Sequence, residues 1–480
     1  MSNLEEVYGR PTAGMVTGRS ADLLGTAESP LCQNIDPANP LGAQTRPGSS
    51  FYGSIAAGSG FIGTGLGPWT RNLSTTYLFI AFGTSIYSMD SSGSTTSVKT
   101  GLNSDTYMGF AALNNIGILV AASMAPQVST AGSTLASMAG TPPSLARYVS
   151  VFSAKCWLAG DPLNPTKLTF SASNNPEDYT TANNAGTITI GDSGDVIKGL
   201  EGTKRALYVF MRHAIYIVTG DSPFNFRVDK LADLGLVSEW GHCTDGQGCF
   251  FASDDGIYYA SGYNVARVSD KNWPLYDGIS DKSTICMEVK GEKLFMTYKD
   301  TGDTQNTKAM VLAYKRKMAD GRVDGVWSQY TSQPYQAMKT GRSNNLYAVT
   351  NASSLQVYEI DTGTSGNVTA VWYTPHYDFG EPSGIKTLMR SYFQVSAPAN
   401  ATTALSITVI CDGASTGSVY SLSAATSTAS YVMLQAAGQT TTSLAKAHLG
   451  LRIEWTGNRR LQAYRIVADV RTDEPPRRIS

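Results

Sequence analysis

Ala206-Leu207-Tyr208-Val209-Phe210-Met211 is an apolar run, Arg212-His213 a two-residue polar break, and Ala214-Ile215-Tyr216-Ile217-Val218 a second apolar run carrying Ile-Tyr. Each run has the length of a strand and the break has the length of a hairpin turn. The same unit stands at Tyr77–Phe82, Gly83-Thr84 and Ser85–Met89, and again at Cys249–Ser253, Asp254-Asp255 and Gly256–Ala260. Weaker copies are Lys293–Tyr298 and Asn345–Val349, the latter paired with Gln356–Ile360. Tyr216 to Tyr258 is a step of 42 residues and Tyr258 to Tyr298 one of 40; the next step, to Tyr358, is 60, lengthened by the insert Asp300–Lys308. A strand-rich period of roughly 40 to 50 residues is that of a β-propeller blade. One four-stranded sheet cannot bury both faces alone, so neighbouring sheets must stack around an axis. Residues 51–375 have room for six such units, with five or seven also accommodated. The expected fold is all-β: a β-propeller of about six blades (51–375), an N-terminal extended arm (1–50) and a C-terminal β-sandwich (376–480).

The rest of the chain agrees with that class. It has 480 residues, too many for one ordinary domain but enough for two or three, or for one large repeat-built domain. Hydrophobic residues are 42%, enough to fill a core and to exclude disorder. Lys+Arg is 37 against Asp+Glu 38, so no bulk basic field exists for gripping nucleic acid. Met1–Glu6 lacks a basic region followed by an apolar core. The longest apolar candidate, Ile116–Ala122, is strand-sized, so a soluble protein with no membrane span is expected. Thr12–Gly48 is rich in Gly, Pro and Asn and reads as an extended arm with a strand that closes the ring. Strands are expected in the C-terminal part at Lys386–Val395, Leu405–Cys411, Ser418–Leu422, Tyr431–Leu434, Gly450–Glu454 and Gln462–Val470. Lys446–Ser480 holds eight Lys/Arg, read as solvated strand faces and a polar tail rather than an anionic partner surface.

Chemistry-bearing patterns are sparse. Six cysteines are scattered, and the one close pair, Cys243 and Cys249 beside His242, lacks the further ligands that zinc needs. Two thiols facing each other across a hairpin is the better reading. His213, His242, His376 and His448 form no metal pattern, and no nucleophile elbow or phosphate loop occurs. Ser88–Thr95 resembles the Asp-box turn of sialidase-like propellers, with one inserted residue and no Trp. Glu177-Asp178 and Asp254-Asp255 could supply glycosidase carboxylates, but Asp254-Asp255 reads equally as a polar turn. No catalytic residue, cofactor or metal is expected, and the chain is not expected to be an enzyme.

An ordered series of segments resembles a known family. Lys167-Leu168-Thr169-Phe170-Ser171 through Asn174-Asn175-Pro176-Glu177-Asp178-Tyr179 is followed by the turn Gly191–Asp195 and by Val196–Leu200. The hairpin Leu207–Gly220 comes next, then Gly235-Leu236-Val237-Ser238 and the hairpin Ser253–Tyr259. Upstream stand Cys32-Gln33-Asn34-Ile35-Asp36 and Arg46-Pro47-Gly48. This series is similar to that of the tail nozzle (tail tubular protein B-like, packaged-DNA-stabilising) propellers of short-tailed bacteriophages. The resemblance implies a virion tail protein, assembled in the host cytoplasm. It implies a homohexameric ring that extends the DNA channel below portal and adaptor and retains the genome until ejection. Its partners would be its own copies, tail adaptor proteins and tail fibres or spikes, with double-stranded DNA passing without sequence-specific binding. A near-neutral chain suits a passage, since each phosphate neutralised adds affinity. Trp240, Trp273, Trp327 and Trp372 are candidates for ring interfaces or for core. Residues 129–144 read as a long uncharged loop between blades, with Ser129, Thr130, Ser133, Thr134 and Ser137 as candidate lumen or interface residues. The alternatives are a glycan-recognising, receptor-binding tail protein and a propeller glycosidase.

Overall fold

Leu207–Met211 and Cys249–Ser253 are buried at every position, because each is a second strand covered by sheets on both faces. That is why these segments read as continuous apolar runs rather than alternating ones. The computed structural model describes residues 3–9, 12–39, 42–55, 63–103, 107–191, 194–317, 323–350, 355–363, 368–379, 385–395, 405–411, 414–422, 432–437, 448–457 and 460–471. Seven four-stranded antiparallel units follow one another, with inner strands Gly63–Arg71, Met108–Leu113, Tyr148–Phe152, Ile197–Gly202, His242–Thr244, Cys286–Lys290 and Tyr335–Thr340. Each inner strand touches the next, and Tyr335–Thr340 touches Gly63–Arg71, so the ring closes. The fold is the expected β-propeller, and its ring holds seven blades, at the upper end of the expected range.

The arm supplies the closing strand. Gly48–Ile55 pairs with Leu355–Thr362, through Ile55↔Leu355 and Ser50↔Glu359, as the outermost strand of the seventh blade. That blade is therefore built from sequence at both ends of the propeller. Cys32–Gln33 runs parallel to Val323–Thr331 of the sixth blade and antiparallel to Thr369–Tyr373. The sixth blade thereby continues through the arm into a nine-stranded sheet that includes Leu405–Cys411, Ala414–Leu422 and Leu449–Thr456. The second C-terminal sheet joins Ile385–Val395, Val432–Ala437 and Arg460–Arg471 with the arm strands Asn3–Gly9 and Ala43–Gln44. All six expected C-terminal strands are present. Of the eight basic residues in 446–480, only the Arg452 side chain is described; it pairs with Glu454 at 2.6 Å.

The core lies between blades. Trp157, Phe170, Leu207 and Val209 fill the space between blades three and four. Phe210, Ile217, Phe251 and Tyr258 fill the next. The largest cluster joins blades five and six to the arm and the C-terminal sheets, and it holds Trp327 and Trp372. Both tryptophans are core side chains. Trp240 is half-buried, and Trp273, at 41% exposure, is the one of the four that faces solvent.

Two readings of the sequence need correction. Residues 129–144 are not one loop between blades: Met124–Ser129 and Ala136–Ser137 are the third and fourth strands of the second blade, paired through Gln127↔Ser137 and Val128↔Ala136. The buried Ser129 hydroxyl donates to Thr134 O at 2.8 Å and accepts from Gly132 N at 3.0 Å, which folds the turn between them. Small residues without apolar alternation concealed this outer strand. Tyr298 lies on the second strand of its blade, whereas Tyr216 and Tyr258 lie on third strands, so the 40-residue step does not join equivalent positions. Among the described residues, no helix is long and apolar enough to cross a membrane.

Candidate functional site

All seven inner strands, with residues just before them, line one axial cavity of about 270 Å3. Inner strands carry side chains toward the axis, so a charged residue there meets charges from blades remote in sequence. Glu201, Glu288 and Lys339 come from blades four, six and seven. Lys339 Nζ lies 3.3 Å from Glu288 Oε2. Glu201 Oε2 lies 3.1 Å from His242 Nδ1, and the imidazole stacks on Phe210 with centroids 5.2 Å apart. Gly199 leaves room for that ring, because a Cβ there would stand 2.7 Å from His242 Nε2. Beside this group, Glu239 accepts from Arg147 Nη2 at 2.5 Å and from Tyr148 Oη at 2.8 Å, with Lys198 Nζ 3.7 Å away. Tyr107 and Trp240 close together there, with centroids 4.4 Å apart.

The cavity walls shift the charges within it. Burial works to lower the Lys339 ammonium, but Glu288 and Glu201 outweigh it and hold the group above its usual range. Burial works to raise the Glu201 carboxyl, but Lys339 and the His242 hydrogen bond hold it below its usual range. Burial pushes the Glu288 carboxyl up, Lys339 opposes, and Glu201 adds to the rise. The sequence signal for this cluster was faint: one or two charged residues in each of three short first strands, with nothing in the local pattern to mark which of them face the axis.

A second constellation sits where arm, propeller and C-terminal sheets meet. Asn34, 5% exposed and at φ 55°, donates to Thr331 Oγ1 at 2.8 Å and to Thr369 O at 2.9 Å. Its Oδ1 accepts from Thr331 N at 2.9 Å and from Arg46 Nε at 3.1 Å. The Arg46 guanidinium also lies over the Tyr330 ring, 5.2 Å from its centroid. Lys293 Nζ bridges Asp36 of the arm at 2.9 Å and Asp361 of the seventh blade at 3.0 Å. Asn34, Asp36 and Arg46 all belong to the N-terminal element singled out in the sequence.

The other segments of that series are also framework. Ser171 is fully buried, accepting from Cys156 N at 3.0 Å and donating to Ala172 O at 2.8 Å. Asn174 O accepts from Asn114 Nδ2 at 3.2 Å, and Glu177 Oε1 from Ala139 N at 3.0 Å, which fastens blade three to blade two. Asp178 Oδ1 accepts from Thr180 N at 2.9 Å. Asp195 accepts from the backbone N–H groups of Arg212 and His213, both at 3.1 Å, capping the hairpin turn. Gly235 lies against that turn so closely that a Cβ would stand 1.6 Å from Arg212 O.

The remaining candidates are dispersed. Cys243 and Cys249 are fully buried and join different interblade clusters, so they point to opposite faces of their sheet rather than at each other. The register explains this: Cys243 opposes Phe250 and Cys249 opposes Thr244. Among the described residues, no group of three or more His, Cys, Asp or Glu is placed to hold a metal ion. Asp90 accepts from Ser92 N at 2.9 Å and Ser94 N at 3.0 Å, so its Asp-box-like stretch is a strand-linking turn. Asp254 pairs with Arg212 at 2.9 and 3.0 Å, and Asp255 accepts from Tyr258 Oη, which ties both carboxylates to framework. Ser129 is buried in its turn; Thr130, Ser133, Thr134 and Ser137 occupy the outer hairpin of the second blade, away from the axial cavity.

No protein-family profile matches the chain, and no curated protein is similar to it. Among solved structures, it is similar to a streptogramin B lyase, at 9% identity and a TM-score of 0.44 over 65% of this chain and 97% of that one. It is similar to virginiamycin B lyase of Staphylococcus aureus at 9% identity and a TM-score of 0.42, covering 63% and 98% of the two chains. The WD40 domain of Neurospora crassa Pan2 follows at 10% identity and a TM-score of 0.42, covering 66% and 97%.

Proposed function

We propose that this chain is a structural subunit of the tail nozzle of a short-tailed bacteriophage. Copies associate head to tail in a ring, six by the resemblance, that extends the DNA channel and retains the genome until ejection. The observation that carries this reading is the role of the matched residues. Asn34, Asp36 and Arg46 weld arm, propeller and C-terminal sheets into one body, and the later matched segments tie adjacent blades and turns. A family signature made of joints suits a part that must keep its shape under the pressure of packaged DNA. A cavity of about 270 Å3 along the propeller axis is far too small for a duplex, so the channel would lie between copies. Net charge −1 supports passage without a phosphate grip.

Electron microscopy of particles carrying a tagged copy tests the proposal. Density for the tag on the tail axis, in a closed ring, is the expected result. A tag at the periphery of the tail overturns the nozzle assignment. Specific retention on a glycan array together with that peripheral position would make the protein a receptor-binding part instead.

A further inference from the structure

Two carboxylates and one ammonium share the inner end of the axial cavity, and they do not balance. Glu288 is 5% exposed, and burial outweighs the two groups that favour its charged form, Lys339 Nζ, 3.3 Å from its Oε2, and the Thr340 backbone N–H. Glu201, 9% exposed, already engages His242, and it draws on the same Lys339. The basic side chains on the other side of the cavity are committed elsewhere: Arg147 and Lys198 both face Glu239. The remaining titratable groups around Glu288 are His242 and Cys243 from blade five, Cys286 on its own strand, and Tyr107 before blade two. The facing strand of its own blade places Phe295 opposite Glu288. None of these adds a second fixed positive charge, and Leu66, Phe110, Met287 and Met338 wall the space with apolar surface. Two buried negative charges that share one ammonium are costly in such surroundings, and the cost is relieved when one of them takes up a proton.

We infer that the axial cavity is a proton-binding site, in which Glu288 is carried as the neutral acid near neutral pH while Glu201 and Lys339 stay charged. The step is a simple ionisation: a proton from water adds to Glu288 Oε2, and the carboxyl becomes an O–H donor facing the cavity. Burial and the neighbouring Glu201 favour that form. A carboxyl whose folded-state pKa is raised binds more protons folded than unfolded. Its stabilising contribution is full below the unfolded value and is lost as pH rises through the folded one. The inner ring of the propeller is therefore sensitised to alkaline rather than acid conditions. This inference does not depend on the nozzle reading.

The test compares melting temperatures of the full chain and of Glu288→Gln and Glu201→Gln as pH rises from the unfolded glutamate value of about 4.3 through neutral and mildly alkaline pH, the direction in which a raised carboxyl loses its stabilising contribution. Glutamine mimics the neutral acid, so Glu288→Gln should gain several degrees relative to the parent as pH rises. Glu201→Gln should melt lower at every pH, because it strips Lys339 and His242 of a charged partner. A constant offset for Glu288→Gln across the window overturns the inference, as does the reverse assignment between the two carboxyls. Infrared spectroscopy of the parent protein near neutral pH is the second readout and stands even if a variant fails to fold. A buried protonated-carboxyl band is expected; its absence overturns the inference.

Discussion

The Arg46 guanidinium donates from Nε to Oδ1 of Asn34 at 3.1 Å, across a gap of twelve residues in the arm. Arg46 Nη2 reaches Thr331 O at 3.3 Å, and Asn34 holds both Thr331 N and Thr369 O, so this pair spans the sixth blade and the start of the C-terminal sheets. The left-handed φ of Asn34 points its amide into that junction, a conformation that Asn tolerates better than most residues.

Asn34→Ala should therefore destabilise the chain well beyond an ordinary surface change. It leaves a buried guanidinium N–H and the Thr331 N–H without their acceptor, and each such loss costs about 1–3 kcal/mol. We expect a total of about 2–4 kcal/mol by denaturant unfolding. A midpoint within error of the parent would show that the junction is not a stabilising joint.

Lys293→Met removes the cation between two nearly buried carboxylates, Asp36 and Asp361. Breaking a buried pair from one side costs about 3–5 kcal/mol. Asp36→Asn should cost less, because Lys293 keeps Asp361. Burial alone would lower the Lys293 ammonium, but Asp361 and Asp36 hold it above its usual value. Its contribution is thus full through neutral pH and fades only as pH rises past the unfolded lysine value of about 10.4. Unfolding curves at neutral and strongly alkaline pH should show the gap between parent and Lys293→Met shrinking at the alkaline end.

Gly202→Ala tests a close approach of two inner strands. A Cβ at Gly202 would stand 2.1 Å from Val151 O, a backbone atom that cannot rotate away, and Ser150 Oγ accepts the Gly202 N–H at 2.8 Å. Blades three and four would have to separate at the axis, costing about 1–3 kcal/mol or more. Circular dichroism melts report it; an unchanged melting temperature would contradict the strand spacing.

Cys32, Cys156, Cys243, Cys249 and Cys286 are free and buried. Burial pushes the thiols of Cys32, Cys156 and Cys286 up to about 12 and those of Cys243 and Cys249 well above their usual value. Thiolates are the reactive species, so alkylation of these five should be slow in the native protein and fast after unfolding. Peptide mapping after a brief iodoacetamide pulse checks this. Rapid native labelling of Cys243 and Cys249 would show that the fifth blade opens.

What could be read in the sequence is what short stretches decide. The hairpins at Arg212-His213, Gly83-Thr84 and Asp254-Asp255 are specified by apolar runs flanking a short turn pair, and the strands at Leu405–Ile410 and Leu451–Trp455 by period-two alternation. Those signals act within about ten residues, where closing the chain costs little entropy. The hairpin at Ser129–Ser137 escaped because its outer strand is two small residues, with burial carried by one serine hydroxyl. Seven blades rather than six, and the pairing of Gly48–Ile55 with Leu355–Thr362, depend on how the whole ring closes. Nor can local pattern bring Glu201, Glu288 and Lys339 together, because they lie on three separate blades and meet only at the axis. Such contacts repay the long loops they close only through burial summed over the entire ring, which is why tertiary structure, and not the local sequence, settles them.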